Sequence, residues 1–266
     1  MSAVFLFFDG SYLFLCIFAI RTRKQKMQLF FTNDKESNIC TLDAEESKHC
    51  IKVLRMSAGD ELFVTDGRGT LCRCRILDPS PSHCSLEVVE RTPEYGKRPF
   101  HLHVAVAPTK NTARLEWFIE KAVEMGIDEI TPIICDHSER CVLKEERLDK
   151  IIVSAMKQSL KTYKPILHAP TRFHNFIDSI TKQNSSDPTN PQLFIAYCDG
   201  DNRTPLRDAY TKGSDALILI GPEGDFSPEE VTQALKAGFI PVTLGESRLR
   251  IETAALAATA FFNLSN

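Results

Sequence analysis

Apolar and polar positions change rhythm near residue 97. Before it, three short runs alternate or stay apolar: ELFVTDG (Glu61–Gly67), GTLCRCRIL (Gly69–Leu77) and HCSLEVVER (His83–Arg91). Period-two patterning of this kind predicts half-buried strands. Asp66-Gly67-Arg68-Gly69 and Pro79-Ser80-Pro81-Ser82 separate the runs and predict hairpin turns. One helix is predicted over Ala44–Met56, with Cys50, Ile51 and Leu54 at helical spacing. Residues 27–97 therefore read as a small β-barrel-like domain.

Beyond the linker Tyr95-Gly96-Lys97-Arg98-Pro99 the texture becomes strand, helix, strand, helix. That alternation is the mark of an α/β domain with a largely parallel sheet. HLHVAVA, EITPII, QLFIAYC and ALILI are the predicted strands. A helix over Asn111–Glu124 carries the stripe Leu115, Phe118, Ile119, Ala122 and Val123, and Gly126 closes it. A second helix over Glu145–Lys161 carries Leu148, Ile151, Ile152, Ala155 and Met156. Lys182–Gln192, polar and with two prolines, reads as a surface loop. The expected division is 1–26, an N-terminal extension; 27–97, the barrel; and 98–266, the α/β domain.

The extension runs apolar from Ala3 to Ile20, broken by Asp9, Gly10 and Ser11, with Arg21, Arg23, Lys24 and Lys26 after it. A secretory signal places its charges first. The favoured reading is a start placed upstream of a natural one at Met27. A membrane anchor with a cytoplasmic body is the other, and no membrane association is expected after Met27.

Composition adds limits. With 43% hydrophobic and 25% charged residues, the chain can build a core. The formal charge of -3 means that a nucleic-acid partner must be met by a local basic face. Nine cysteines form no CxxC pair and no zinc-finger spacing with histidine, so neither a disulfide framework nor a metal site is expected. Cys72 and Cys74 share a strand face with Ile76 and read as core.

Two segments carry the candidate chemistry. In ILIGPEGDFSPEE (Ile218–Glu230) a buried strand runs into Gly221-Pro222-Glu223-Gly224 and then into a helix. Ser227 suits the N-cap, Pro228 the first helical position and Glu230 a capping box. Glycines at the carboxyl end of a strand admit a ligand to the backbone, or simply make a tight turn. Neither the dinucleotide fingerprint nor the phosphate-loop motif is present. In VTLGESRLRIETAALAATAFF (Val242–Phe262) a strand ends at Leu244-Gly245, and a polar stretch precedes an alanine-rich helix. Arg248, Arg250 and Glu252 crowd that stretch, either as a charged loop or as part of a cleft.

Together IGPEGDFSPEE, AGF and LGESRLRIETA closely resemble the RsmE family of SPOUT RNA methyltransferases. HCIKVLRMSAGDELFVTDG, KNTARLEWFIEKAVEMGIDEITPI, SERCV and AMKQSLKTYKP extend the likeness, in order, from about Met27 to the C-terminus. Asp225 stands where Gly is common, Lys161 where Arg is common, and Ser247-Arg248 where many members have Arg and an aliphatic residue.

The resemblance implies a fold: a SPOUT-type α/β domain with a C-terminal trefoil knot, preceded by a small PUA-like β-barrel domain. It also implies a reaction, S-adenosylmethionine-dependent methylation of N3 of a uridine in 16S rRNA of the 30S subunit, carried out by a cytoplasmic homodimer. Other outcomes within reach are a ribose 2′-hydroxyl or guanine N1 target, or a non-catalytic RNA-binding assembly factor. The cofactor residues it implies are Ile220, Gly221, Pro222, Glu223, Gly224, Leu244, Gly245, Ser247, Leu249, Thr253 and Ala254, with a loop after QLFIAYC. Arg250 is the candidate for stabilising a uracil anion, with Glu252 orienting it or closing the loop. Glu223 either positions the base or accepts a proton, or is bonded to loop amides. Candidate RNA contacts are His49, Lys52 and Arg55 on the barrel helix, Arg73 and Arg75 on one strand face, and Lys110 and Arg114 at the start of the first α/β helix.

Overall fold

The computed structural model describes residues 28–32, 37–184, 191–198 and 203–266. The reading of residues 1–26 lies outside them. Among the described residues the first sheet has five strands: β1 (Leu29–Phe31), β2 (Ile39–Thr41), β3 (Glu61–Thr65), β4 (Leu71–Asp78) and β5 (Ser85–Thr92), in the order β1-β3-β4-β5-β2. Both predicted hairpins form, with β3–β4 and β4–β5 antiparallel. Cys74 and Ile76 are buried and Cys72 packs against the same core, which also holds Phe30, Leu42, Leu62, Val64 and Leu86. The helix α1 (Ala44–Lys48) is capped by Asp43 and continues as a wider turn over His49–Val53. It ends three residues short of the predicted Met56. Arg55, at φ +57°, therefore lies off the helical face that His49 and Lys52 share.

The second sheet contains β6 (Leu102–Val106), β7 (Glu129–Ile134), β8 (Ile166–Leu167), β9 (Thr171–Arg172), β10 (Gln192–Ala196), β11 (Thr204–Pro205), β12 (Ala216–Ile220) and β13 (Ile240–Thr243). Its order is β11-β13-β10-β12-β6-β7-β8, with β9 on β7, and every pairing is parallel. Helices cover both faces. On one lie α2 (Thr112–Met125), α3 (Glu145–Gln158) and the C-terminal α7 (Ile251–Ser265), whose Leu115, Phe118, Ile152, Ala255 and Phe262 meet Val104, Val106, Ile218 and Ile220. On the other, Phe173 and Phe176 of α4 (Phe173–Asn184) and Ala234 of α6 (Pro228–Lys236) meet Ala105, Ile195, Leu217 and Leu219. A short α5 (Leu206–Ala209) follows β11. Strands so covered read as unbroken apolar runs, which is why ALILI has no polar position.

Three boundaries differ from expectation. Lys182 to Asn184 belong to α4 rather than to a loop, and residues 185–190 lie outside the described ones. The helix predicted to Lys161 stops at Gln158, because Leu160 takes the left-handed conformation at φ +57°. The linker is not free: Arg98 donates to Gly126 O and Asn263 Oδ1 and pairs with Asp128.

The two sheets are joined by direct bonds. Thr65 Oγ1 and Gly69 N both donate to Thr162 O, at 3.2 and 3.0 Å, and Lys164 N donates to Gly67 O at 2.8 Å. Lys157 pairs with Glu46. Gly69 has φ +98°, and a Cβ there would overlap the Tyr163 ring. Gly69→Ala should therefore lose about 2 kcal/mol or more, through backbone strain and overpacking together. Urea unfolding measures it; an unshifted midpoint would mean that the hairpin does not dock on Tyr163.

Candidate active site

Because β13, β10, β12 and β6 are neighbours and parallel, the loops that follow them open at one edge of the sheet in that same order. Residues 244–250, 197–198, 221–227 and 107–111 thus lie side by side. Ligands of open parallel sheets bind at this carboxyl edge.

The glycine-containing loop is pinned from below. Ser227 caps α6 in a full capping box: Glu230 N donates to its hydroxyl and Ser227 N donates to Glu230 Oε2. The other oxygen of Glu230 accepts from Asp136 N at 3.0 Å, and Ser227 Oγ donates to Asp136 Oδ2 at 2.7 Å. Asp136 lies just past β7, so α6 is tied to that strand's end. Burial pushes the Glu230 carboxyl up, against the pull of the two amides it accepts from. His137 Nδ1–H donates to the carbonyls of Gly224 and Asp225, both at 3.0 Å.

These contacts change the reading of two glycines. A Cβ on Gly221 would come 2.9 Å from the Phe226 ring, and one on Gly224 would come 3.0 Å from His137 Cβ. Packing within the loop accounts for the first, and packing against the segment after β7 for the second. Gly245 differs: it has φ +135°, and a Cβ there would meet nothing within 4 Å. Its bare backbone faces open space.

Glu223 is exposed, and its Oε1 accepts from Lys110 N at 3.1 Å, an amide contact of the kind left open above. Glu252, nearly buried at the start of α7, lies 3.7 Å from Arg114 Nε. Its ion pair is therefore with Arg114 and not with Arg250. Glu223 thus meets the residue before the N-cap of α2, and Glu252 a side chain of its first turn. Arg250 is the residue before α7; it is exposed and, among the described residues, no carboxylate lies within ion-pair distance. Ser247 and Arg248 are exposed beside it, Leu249 and Ala254 half-buried, Thr253 exposed and Pro222 buried. Lys110 Nζ pairs with Glu139 at 2.8 Å.

The other basic candidates lie on the first sheet. Arg73 is bonded to Glu61 and Glu90, and Arg75 to Glu61 and Glu87. This strand face is neutralised within the chain, whereas His49 and Lys52 are exposed.

Sequence reasoning missed Asp136, His137 and the role of Asp225. Asp225 has φ +62°, a conformation that glycine adopts freely and that aspartate tolerates better than most residues. Its Oδ2 accepts from Cys198 N at 2.7 Å and its Oδ1 from Phe226 N at 2.9 Å, tying the loop after β12 to the loop after β10. Asp225→Ala should lose about 1–2 kcal/mol by keeping the strain and losing the bonds. Asp225→Gly should lose less, although it removes more atoms. Equal shifts of the urea midpoint would contradict the backbone explanation.

A cavity of about 580 Å³ lies at the opposite edge, where Tyr95, Arg98, His101, Asp128, Lys161, Tyr163 and Asp215 line the junction of the two sheets. Burial, then the Arg98 charge, lowers the Lys161 amine. The cavity lacks the adjacent strand-end backbone that defines the carboxyl edge.

Comparison with known proteins agrees with this architecture. Residues 96–263 match the family described as RNA methyltransferase domain, and residues 42–89 match the RNA methyltransferase PUA domain. A probable rRNA-methyltransferase from Porphyromonas gingivalis is 42% identical, with a TM-score of 0.80 over 90% of this chain and 98% of that one. Ribosomal RNA small subunit methyltransferase E from Neisseria gonorrhoeae, solved bound to S-adenosyl methionine, is 26% identical, with a TM-score of 0.75 over 90% and 97%. The protein of the same name from Synechocystis is 28% identical over 84% of this chain and 72% of its own. The chain belongs to the RNA methyltransferase family, in its ribosomal RNA small subunit methyltransferase E branch.

Proposed function

We propose that this protein transfers the methyl group of S-adenosylmethionine to N3 of a uridine in 16S rRNA of the small ribosomal subunit. The observation that carries the reading is an exposed Arg250 at the head of α7, with no ion-pair partner among the described residues, beside the strand-end loops of a chain whose relatives are ribosomal RNA methyltransferases. The N. gonorrhoeae relative's bound cofactor supports the choice of methyl donor.

The residues fit that cofactor. Uncharged adenine and an amino-acid tail suit backbone groups more than ion pairs, and Gly245 offers bare backbone to open space. Ile220 to Gly224, Leu244, Gly245, Ser247, Leu249, Thr253 and Ala254 would hold it. When bound, it supplies an electrophilic methyl on a sulfonium. The chain supplies position and electrostatics. Attack on that methyl would require uracil N3 to give up its proton, which the free carboxylate oxygen of Glu223 or solvent would take. Arg250 faces the developing negative charge on the base. Arg114 holds Glu252 and so sets the first turn of α7. Glu223 commits one oxygen to Lys110 and keeps the other for the base or its proton.

RNA phosphate would be met by cations that pair with no carboxylate among the described residues, Lys52 and, near the site, Arg248, with His49 exposed beside Lys52. Arg55 joins them as an exposed loop residue. Arg73, Arg75 and Lys110 reach phosphate only by exchanging their present carboxylates. Two domains, 27–97 and 98–266, a trefoil threading of the segment after β13, and pairing of two copies belong to the same reading. Trp117 and Met125 on α2 and Leu264 on α7 remain exposed for such pairing, which light scattering would report as a dimer mass.

Nucleoside analysis of small-subunit rRNA from a strain lacking the gene should show loss of one N3-methyluridine, restored by the wild-type chain. Loss of a 2′-O-methyl or N1-methylguanine mark instead would move the assignment within the superfamily, and an unchanged profile would remove the activity. Arg250→Ala should slow single-turnover transfer by roughly a hundredfold, with affinity for S-adenosylhomocysteine little changed. Near wild-type turnover would take Arg250 out of the site.

A further inference from the structure

Three strands bring imidazoles and a carboxylate together at the amino edge of the second sheet, away from the loops described above. β6 pairs with β7 so that His103 sits opposite Glu129, and Glu129 in turn sits opposite Ile166 of β8. His168 follows β8, and its N–H donates to Ile130 O at 2.9 Å. His101 precedes β6 by one residue and shares the face of His103, since side chains two apart in an extended chain point the same way.

The polar atoms converge. His168 Nε2 lies 2.5 Å and His103 Nδ1 3.8 Å from Glu129 Oε2, and one ligand atom from each of the three residues falls within 4.8 Å of the others. A tetrahedral zinc ion, with bonds of about 2.0–2.1 Å, requires ligand atoms about 3.4 Å apart. The two separations lie on either side of that value, and an ion would take the place of the His168–Glu129 hydrogen bond. At 3.8 Å, His103 Nδ1 is too far from the carboxylate to hydrogen-bond it.

The surroundings are those of a metal site. The outward nitrogen of His103, Nε2, lies 2.7 Å from the hydroxyl of the buried Thr131, which fixes the ring plane and aims Nδ1 at Glu129. Phe176 packs edge-on against the same ring at 5.7 Å. His101 Nε2 lies 3.2 Å from Oε1 of Glu129, the oxygen that faces away from the other two imidazoles. Partners of this sort orient ligands and fix their tautomers.

We propose that His103, Glu129 and His168 bind one divalent transition-metal ion of the zinc class, with His101 as a positioning residue. Two imidazoles and one carboxylate form a ligand set that zinc takes, with the remaining position left to water. The ion would fasten the β8 edge and the turn after it to β6 and β7. It lies outside the methyl-transfer machinery, so its test is independent of that reading.

The test uses the full chain, freed of metal with chelator. Titration with Zn²⁺ by calorimetry should find one equivalent, and Co²⁺ should give visible bands of nitrogen and oxygen ligation without a thiolate charge-transfer band. His168→Gln, at a half-exposed position, should weaken binding at least tenfold, and Glu129→Gln should do the same. Zn²⁺ should raise the thermal midpoint of the wild type and not of either variant. Absence of binding, equal affinity in folded His168→Gln, or a thiolate band placing the ion on cysteine would overturn the proposal. Should Glu129→Gln fail to fold, His168→Gln decides alone.

Discussion

A single carboxylate, that of Glu230, holds the candidate site in shape. It is almost fully buried, and each of its oxygens accepts from a different amide: Ser227 at the head of α6 and Asp136 past the end of β7. A parallel sheet delivers its loops to one edge but does not by itself fix their conformation. Here the capping box turns the chain sharply after β12, Asp136 moors that turn to the sheet, and Phe226 and His137 fill the space that side chains at positions 221 and 224 would need. Asp225 extends the bracing to the loop after β10. Buried polar groups this fully paired are rigid, because any movement strands a donor or an acceptor away from water.

Electrostatics then divides the surface. With a formal charge of -3, the chain attracts RNA only where its cations are left unanswered. Several are answered: Arg73 and Arg75 by Glu61, Glu87 and Glu90, Arg147 by Glu116, Arg98 by Asp128. Among the described residues, Arg250 and Arg248 at the carboxyl edge and Lys52 on the turn after α1 have no carboxylate within ion-pair distance. The bonds from Thr65 and Gly69 to Thr162 hold the two sheets in fixed relation. The cations on the two parts of the chain are therefore linked through bonded elements.

Much of this was legible in the sequence because local rules and tertiary burial agree. The stripe on α2 from Leu115 to Val123, the apolar runs of β10 and β12, and the Ser227–Glu230 capping box all appear as read. What was not legible is long-range. The spacing of Glu252 to Arg250 suggests a pair, yet Arg114, more than a hundred residues earlier, takes the carboxylate. Gly221 and Gly224 read as openings for a ligand or as a tight turn, and their neighbours Phe226 and His137 come from packing that no local pattern encodes. The histidines beside Glu129 match no ligand spacing, since three strands assemble them. Helix α4 was missed altogether.

The central claim is that the cofactor sits at the carboxyl edge, although a roomy cavity lies at the other. Amide hydrogen exchange with and without saturating S-adenosylhomocysteine decides between them. The account predicts slowed exchange in Ile220–Gly224, in Leu244–Leu249 and at Tyr197 and Cys198, with Gly96–Arg98 and Lys161–Tyr163 unchanged. Slowed exchange confined to those last two segments, which line the cavity, would contradict it.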